Sequence, residues 1–273
     1  MNSLIVIPAY NVGQKIRPVL DSLKKGKYDI IVIDDGSIDE TSRIVEESGV
    51  SLIRHETNMG LSQAYNSGFE YARNNGFKRV VTLDADGQHD PAYVDEFVKK
   101  LSVNDCVIGN RFYDIDNIPS CKIASNLIAS LIVYSVTGVK IRDVSCGFRG
   151  FNLEYFTSGR IFDRFEIIYE QLYQVLSSEL KVDTVDIPVI YPCSELYCTK
   201  ISEMVGLLNA SIRHCDNKEF LPVLHRILEG VAKKVDFHFD IEGYKFYCFY
   251  IPNLDSYICQ TDLKKAKTFY ENE

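Results

Sequence analysis

Two aspartates separated by one alanine, Asp84-Ala85-Asp86, follow the apolar run Arg79-Val80-Val81-Thr82-Leu83, with Gln88 two residues further on. Alternate residues just past a strand end point the same way, so both carboxylates can enter one cleft. Their mutual repulsion is relieved by a hard divalent cation, and Mg²⁺ or Mn²⁺ shares its shell between one or two carboxylates and substrate phosphates. Gln88 adds a neutral oxygen, so the spacing offers Asp84, Asp86 and Gln88 as metal ligands. The cation would neutralise charge on a departing diphosphate. Asp pairs also form turns, but Asp90-Pro91 already supplies the cap for the next helix. A second cluster, Asp34-Asp35-Gly36-Ser37, follows Ile30-Ile31-Val32-Ile33. One carboxylate there suits a ribose or base, while Ser37 or Asp39 suits a helix N-cap. A third cluster, Pro8-Ala9-Tyr10-Asn11, offers an aromatic face and backbone groups.

These clusters need elements to hold them in phase. Residues 4–7, 30–33, 51–53, 79–83 and 106–108 read as buried parallel strands, rich in β-branched residues. Segments 13–25, 38–48, 60–76 and 91–101 carry helical spacing between them. This alternation predicts an open α/β sheet with right-handed crossovers, whose ligands bind beyond the carboxyl ends of the strands. Asn66 and Gly68 break helix propensity within 60–76, which favours close core packing there. Beyond residue 120 the pattern predicts helices at 121–138 and 165–179, a strand in 182–191 and a loop at 194–200. The remaining residues, 201–273, read as a small α+β unit. It has helices at 202–213 and 218–233, then a hairpin of 235–241 and 244–251 about Glu242-Gly243. A charged helix ends the chain.

The composition excludes several classes. With 273 residues, 46% hydrophobic and 25% charged, the chain is neither disordered nor collagen-like. Thirty Lys+Arg against 38 Asp+Glu give −8, which opposes non-specific binding to nucleic acid. The eight cysteines include no CxxC and no zinc-ribbon spacing, so they read as reduced thiols. No signal-peptide pattern opens the chain. The most apolar stretch, 123–139, is interrupted by serines and falls short of the ~20 residues a span needs. A cytoplasmic protein is expected, with peripheral contact at a membrane face allowed.

Taken in order, Ile7-Pro8-Ala9-Tyr10-Asn11, Asp34-Asp35-Gly36-Ser37-Ile38-Asp39-Glu40-Thr41, Asn58-x-Gly60 with Ala64-x-Asn66-x-Gly68, Asp84-Ala85-Asp86-Gly87-Gln88-His89-Asp90-Pro91 and Gly109-Asn110-Arg111-Phe112 resemble the family 2 glycosyltransferases. Cys146-Gly147-Phe148-Arg149 and Val185-Asp186-Ile187-Pro188-Val189 extend the resemblance, closest to the dolichyl-phosphate mannose or glucose synthase branch and covering roughly residues 1–200. It implies a GT-A nucleotide-sugar-binding domain, Rossmann-like, with a mostly parallel sheet flanked by helices, and inverting transfer. The cofactors implied are Mg²⁺ or Mn²⁺, with a GDP- or UDP-hexose as co-substrate. It assigns Pro8, Tyr10, Asn11, Val12, Ile33 and Asp35 to the nucleoside, and Asp84, Ala85, Asp86 and Gln88 to the metal and diphosphate. Arg111 would face the phosphates or sugar, Arg149 the sugar or acceptor unless it is a structural ion pair, and Lys200 a phosphate. Glu170, with Glu166 as neighbour, falls where relatives carry a helix glutamate.

The acceptor stays open between a polyprenyl phosphate, whose oxygen is already anionic, and a saccharide hydroxyl, which needs a base worth about 10²–10⁴ in rate. Glu170 is the first candidate for that base and Asp143 the second. The sequence departs from the branch at Ser194, where an Arg is common, and in carrying the C-terminal unit in place of membrane helices. A nucleotide-sugar-binding regulator without turnover is the alternative reading. The C-terminal hairpin, with Phe237, Phe239 and Ile241 set against Phe246, Phe249 and Ile251, would pack on the main domain, form a homodimer or cover an acceptor.

Overall fold

The computed structural model describes residues 3–116, 118–156, 166–190 and 199–271. The chain divides into two compact units, each assembled from separated segments. The first comprises 1–109, 146–163 and 180–191. Its elements are β1 (Ser3–Ala9), α1 (Ile16–Leu23), β2 (Asp29–Asp34), α2 (Thr41–Ser48), β3 (Ser51–Arg54), α3 (Leu61–Asn74), β4 (Arg79–Thr82), α4 (Val94–Lys100), β5 (Cys106–Asn110), β6 (Arg149–Asn152) and β7 (Val182–Asp186). They build a seven-stranded sheet in the order β3-β2-β1-β4-β6-β5-β7. β1 runs parallel to β2 and β4, β2 parallel to β3, and β6 antiparallel to β4 and β5.

β1 is buried along its whole length, as a strand covered on both faces must be. Gly68 shows how tightly α3 lies on it, since a Cβ there would come within 2.4 Å of Val6 Cγ1. That accounts for a poor helix former in mid-helix. β6 was not legible in the sequence. Arg149-Gly150-Phe151-Asn152 is short and carries a glycine, so propensity gives no strand signal. Gly150 is nevertheless needed, because a Cβ would reach 2.6 Å from Leu101 Cδ1.

The second unit comprises 110–145, 164–179 and 192–273. It holds α5 (Ser120–Thr137), α6 (Glu166–Leu176), β8 (Thr199–Lys200), α7 (Ile201–His214), α8 (Leu221–Lys233), β9 (Phe237–Ile241), β10 (Tyr244–Ile251), β11 (Ser256–Gln260) and α9 (Leu263–Glu271). A boundary at residue 200 therefore misses the helices this unit draws from earlier in the chain. The reason lies in α5, which buries ten residues between Ile123 and Val133. So broad an apolar surface must be covered, and β11, α7 and α9 pack on it. Among the described residues α5 is also the one helix long and apolar enough to cross a membrane by length and composition, with 56% of it buried.

The small sheet runs β8-β11-β10-β9. Glu242 and Gly243 both have positive φ, +49° and +75°, as a two-residue hairpin turn of matching twist requires. Strand alternation corrects the expected hairpin face. Phe246 and Cys248 are buried, while Tyr247 and Phe249 stand out at 48% and 40% exposure. Cys248 faces Cys259 across the ladder with the sulfurs 3.2 Å apart. The loop at 194–198, including Ser194, lies outside the described residues, and Thr199–Lys200 is strand.

Candidate active site

In the first unit the three turn clusters all follow carboxyl ends of parallel strands. Past β4, Ala85 is buried at 3% exposure while the Asp84 side chain is 42% exposed. This is the alternation that turns both carboxylates away from the core. Asp86 Oδ1 accepts from the Gln88 N–H at 3.0 Å, with Gly87 at φ +83° making the turn. Burial, with the Asp84 charge adding to it, pushes the Asp86 carboxyl above its ordinary range despite that hydrogen bond.

His89 shapes this loop, a role the sequence did not suggest although the residue sits inside the motif. It is 1% exposed and stacks at 5.4 Å on Phe148, and its Nδ1 accepts from the Asp84 N–H at 3.1 Å. With Nδ1 accepting, the ring proton belongs on Nε2, 3.8 Å from Cys146 Sγ. Gly147 closes the loop from the β6 side, since a Cβ there would stand 2.8 Å from Asp84 Oδ1. Thr82 Oγ1 donates to Gly147 O at 2.8 Å, fastening the two segments. As expected, Asp90 caps the following turn by accepting from Ala92 N–H.

These residues fit a divalent cation. Both carboxylates sit in a partly buried loop where the Asp84 charge adds to the burial that raises Asp86, His89 approaches Asp84 at 3.5 Å, and the glycine beside Asp84 leaves room at its oxygens. Among the described residues no group of three or more His, Cys, Asp or Glu could hold a metal. Asp84, Asp86 and Gln88 are three oxygen-bearing side chains on one loop, a set that suits an ion completing its shell with phosphate oxygens.

Past β2, Asp34 and Asp35 are both buried, at 0% and 4% exposure. Asp34 accepts from Ser37 N–H and from the Ser42 hydroxyl. Asp35 Oδ1 accepts from the Met59 N–H at 2.9 Å and Oδ2 from the Gly60 N–H at 2.8 Å. Asp39 does the capping, accepting from Thr41 N–H at 3.0 Å. The turn after β1 is stitched to this one: Asn11 N donates to Ser37 Oγ, and Val12 N and Gly13 N both donate to Thr41 Oγ1. Asn11 takes φ +51°, and Tyr10 stays 46% exposed, able to stack on a ring. Ile33 and Pro8 do not line an open surface. Ile33 is fully buried and Pro8 pairs with it inside the sheet, so both side chains support the turns. Val12 is half-buried against the core.

Arg149 is corrected in the same way. It is 1% exposed and its Nε donates to Cys146 O at 2.8 Å, so it braces the Cys146–Gly147 segment from within.

In the second unit, Arg111 Nε and Nη2 grip Asp143 at 2.7 and 2.9 Å, and its backbone N–H adds a third bond. Nη2 also reaches Ser145 Oγ at 3.0 Å. Asp143 is 1% exposed; burial alone would raise its pKa, but the Arg111 charge and hydrogen bonds hold the carboxyl below its usual range. Asp143 is thus a poor proton acceptor, and it orients Arg111. Glu170 Oε1 accepts from Arg213 Nε at 2.7 Å and Oε2 lies 3.0 Å from His214 Nε2, with Glu166 paired to the same arginine. Neither candidate base presents a vacant carboxylate.

Lys200 is exposed at the N-cap of α7. Glu203, three residues on, accepts from the Lys200 N–H, half of a capping box. Burial pushes the Glu203 carboxyl up against the pull of Lys122, Lys200 and Arg111. Glu203 was missed in the sequence, where its three-residue spacing from the helix start was the one signal.

Strand-end carboxylates on a mostly parallel sheet flanked by helices stand where an open α/β fold binds its ligands. The sequence profile of Glycosyl transferase family 2 matches residues 4–159, and the chain belongs to that family. An uncharacterized protein of Methanocaldococcus jannaschii is 35% identical over 198 residues, 68% of this chain and 81% of that protein. The UDP-N-acetylglucosamine--dolichyl-phosphate N-acetylglucosaminyltransferase of Methanococcus voltae is 31% identical over 214 residues, 68% of this chain and 85% of that enzyme. Among solved structures, Mycobacterium tuberculosis glucosyl-3-phosphoglycerate synthase with Mn²⁺, UDP and glucosyl-3-phosphoglycerate superimposes with a TM-score of 0.61. It is 18% identical, covering 89% of this chain and 86% of that one, a likeness of fold.

Proposed function

We propose that this glycosyltransferase moves a sugar from a nucleoside-diphosphate donor to the phosphate of a polyprenyl phosphate, with inversion and with a divalent cation at Asp84, Asp86 and Gln88. The observation that carries the reading is the Asp84–Asp86 pair itself, partly buried and with Asp86 raised by burial and by its neighbour. When bound, Mg²⁺ or Mn²⁺ supplies Lewis-acid neutralisation of the departing diphosphate. Asp84 and Asp86 hold the charge that binds it, His89 and Gly147 fix the loop, and Tyr10 and Asp35 meet the nucleoside. Arg111, oriented by Asp143, and Lys200 are cationic side chains of the second unit suited to phosphate oxygens.

A phosphate acceptor is favoured over a saccharide by the state of the two candidate bases. Asp143 is held by Arg111 and Glu170 by Arg213 and His214, and an anionic phosphate oxygen needs no base. The acceptor named for the Methanococcus voltae relative points the same way. The test is calorimetric titration with UDP and GDP, with and without Mn²⁺, followed by transfer assays on a short polyprenyl phosphate and on a free saccharide. Metal-dependent binding of one nucleotide with transfer to the lipid phosphate is expected. Metal-independent binding, or transfer to the saccharide alone, overturns the reading.

A further inference from the structure

Asp35 is held by more than the backbone. His55 Nδ1 lies 2.7 Å from Asp35 Oδ1, and His55 Nε2 lies 2.9 Å from Ser67 Oγ. The His55 and Asp35 side chains are only 8% and 6% exposed. The string therefore joins the end of β2, the segment after β3 and the body of α3. It also closes a tight fit, because Gly36, at φ +76°, has Thr57 C only 2.4 Å from where a Cβ would stand. The 55–60 segment is thus pressed on the Asp35–Gly36 turn and latched there by the imidazole.

A serine–histidine–aspartate string invites comparison with a nucleophilic triad. Ser67, however, lies inside α3, where backbone N–H groups are committed to the helix, so no oxyanion donors surround its hydroxyl. The string orients groups instead. A carboxylate has about four acceptor positions. On Asp35, the fold fills two at Oδ1, from His55 and Met59, and one at Oδ2, from Gly60. One position on Oδ2 remains.

We propose that His55, backed by Ser67, is a positioning residue for the donor nucleotide. It fixes the Asp35 carboxylate so that the remaining Oδ2 position receives an N–H or O–H of the nucleoside. The inference rests on the reading that Asp35 meets the donor. With Asp35 as acceptor, the ring proton belongs on Nδ1, and Nε2 accepts from the Ser67 hydroxyl.

The test compares His55→Ala, His55→Asn, His55→Gln and Ser67→Ala in the full chain. It measures UDP and GDP affinity with Mn²⁺, donor KM and kcat, and the melting temperature. His55→Ala is expected to weaken nucleotide binding and raise donor KM about 10-fold or more, with kcat at saturating donor changed by less than about 3-fold. Asn places an amide N–H near the Nδ1 position and is expected to recover most of the affinity. Gln fills more of the imidazole's space but reaches toward Ser67, and is expected to behave like Ala. Ser67→Ala should weaken binding by about 2- to 5-fold.

The Asn and Gln variants carry the test if the alanine variant does not fold. Recovery by Gln equal to that by Asn would mean the ring only fills space, and the proposal fails. A fall in kcat at unchanged KM, or normal affinity in His55→Ala, also overturns it. If the unsubstituted protein binds neither UDP nor GDP, the donor reading falls first and takes this inference with it.

Discussion

Two sets of carboxylates, one in each unit, are held in opposite ways. In the first, Asp84 and Asp86 stand at a strand end with no basic partner on either carboxylate tighter than the 3.5 Å approach of His89 to Asp84. In the second, Asp143 is sealed by Arg111, and Glu166 and Glu170 share Arg213. Paired charges stabilise and orient, whereas uncompensated ones wait for a ligand. Under the proposed function, the first unit's pair binds the ion and the second unit's pairs hold cationic side chains in place.

The contrast is open to attack in order of expected effect. Asp86→Ala should lower transfer by about 10²–10³-fold or more and abolish metal-dependent nucleotide binding, with an unchanged circular dichroism spectrum. Turnover at the unsubstituted rate would end the metal assignment. In the second unit the effect should appear in stability: Asp143→Ala strands a largely buried Arg111 and should cost about 3 kcal/mol in urea unfolding. The sign of its pH dependence follows from the depressed carboxyl. The Asp143 contribution is complete above the unfolded aspartate pKa of about 3.9 and is lost as pH falls below it toward the lower folded value. The variant should accordingly lose less stability over that acid range than the parent.

Smaller effects sharpen the comparison. Gly147→Ala presses a methyl group on Asp84 Oδ1 and should weaken Mn²⁺-dependent binding by about 10-fold, since displaced ligand supports cost that much. Calorimetry with and without metal separates this from a general loss of affinity. Glu170→Gln should reduce kcat by less than about 10-fold, because a true general base would cost about 10²–10⁴. A larger fall would restore Glu170 to the reaction and favour a hydroxyl acceptor.

The sequence made the first unit legible because its chemistry sits in local turns. Asp84-Ala85-Asp86, Asp35 and Tyr10 each follow a β-branched run, and period-two alternation says which residues leave the core. It failed where function depends on distant segments. Ile33 and Arg149 carry the right motif positions, yet the sheet buries both, a fact set by neighbours far along the chain. His55 and His89 were readable only as motif neighbours, because their roles come from Ser67, Phe148 and Cys146. The second unit was least legible. Its boundary follows the need to enclose α5, which no composition shift marks, and the hairpin face that grouped Phe249 with Phe246 ignored the alternation that buries Phe246 and Cys248 and exposes Phe249.

The position of β6 has a consequence for how the protein comes into being. Synthesis delivers β4 and β5 early, but the strand between them arrives only at Arg149–Asn152, after the excursion through 110–145. Closing so long a loop adds little to the equilibrium cost, about 0.6 kcal/mol per doubling of length. Its weight falls on time, because non-local pairing slows folding. Gly147 and the Thr82 hydrogen bond that shape the Asp84 loop arrive with that same strand. A nascent chain that ends before residue 146 thus carries the aspartate motif without the segment that shapes its loop.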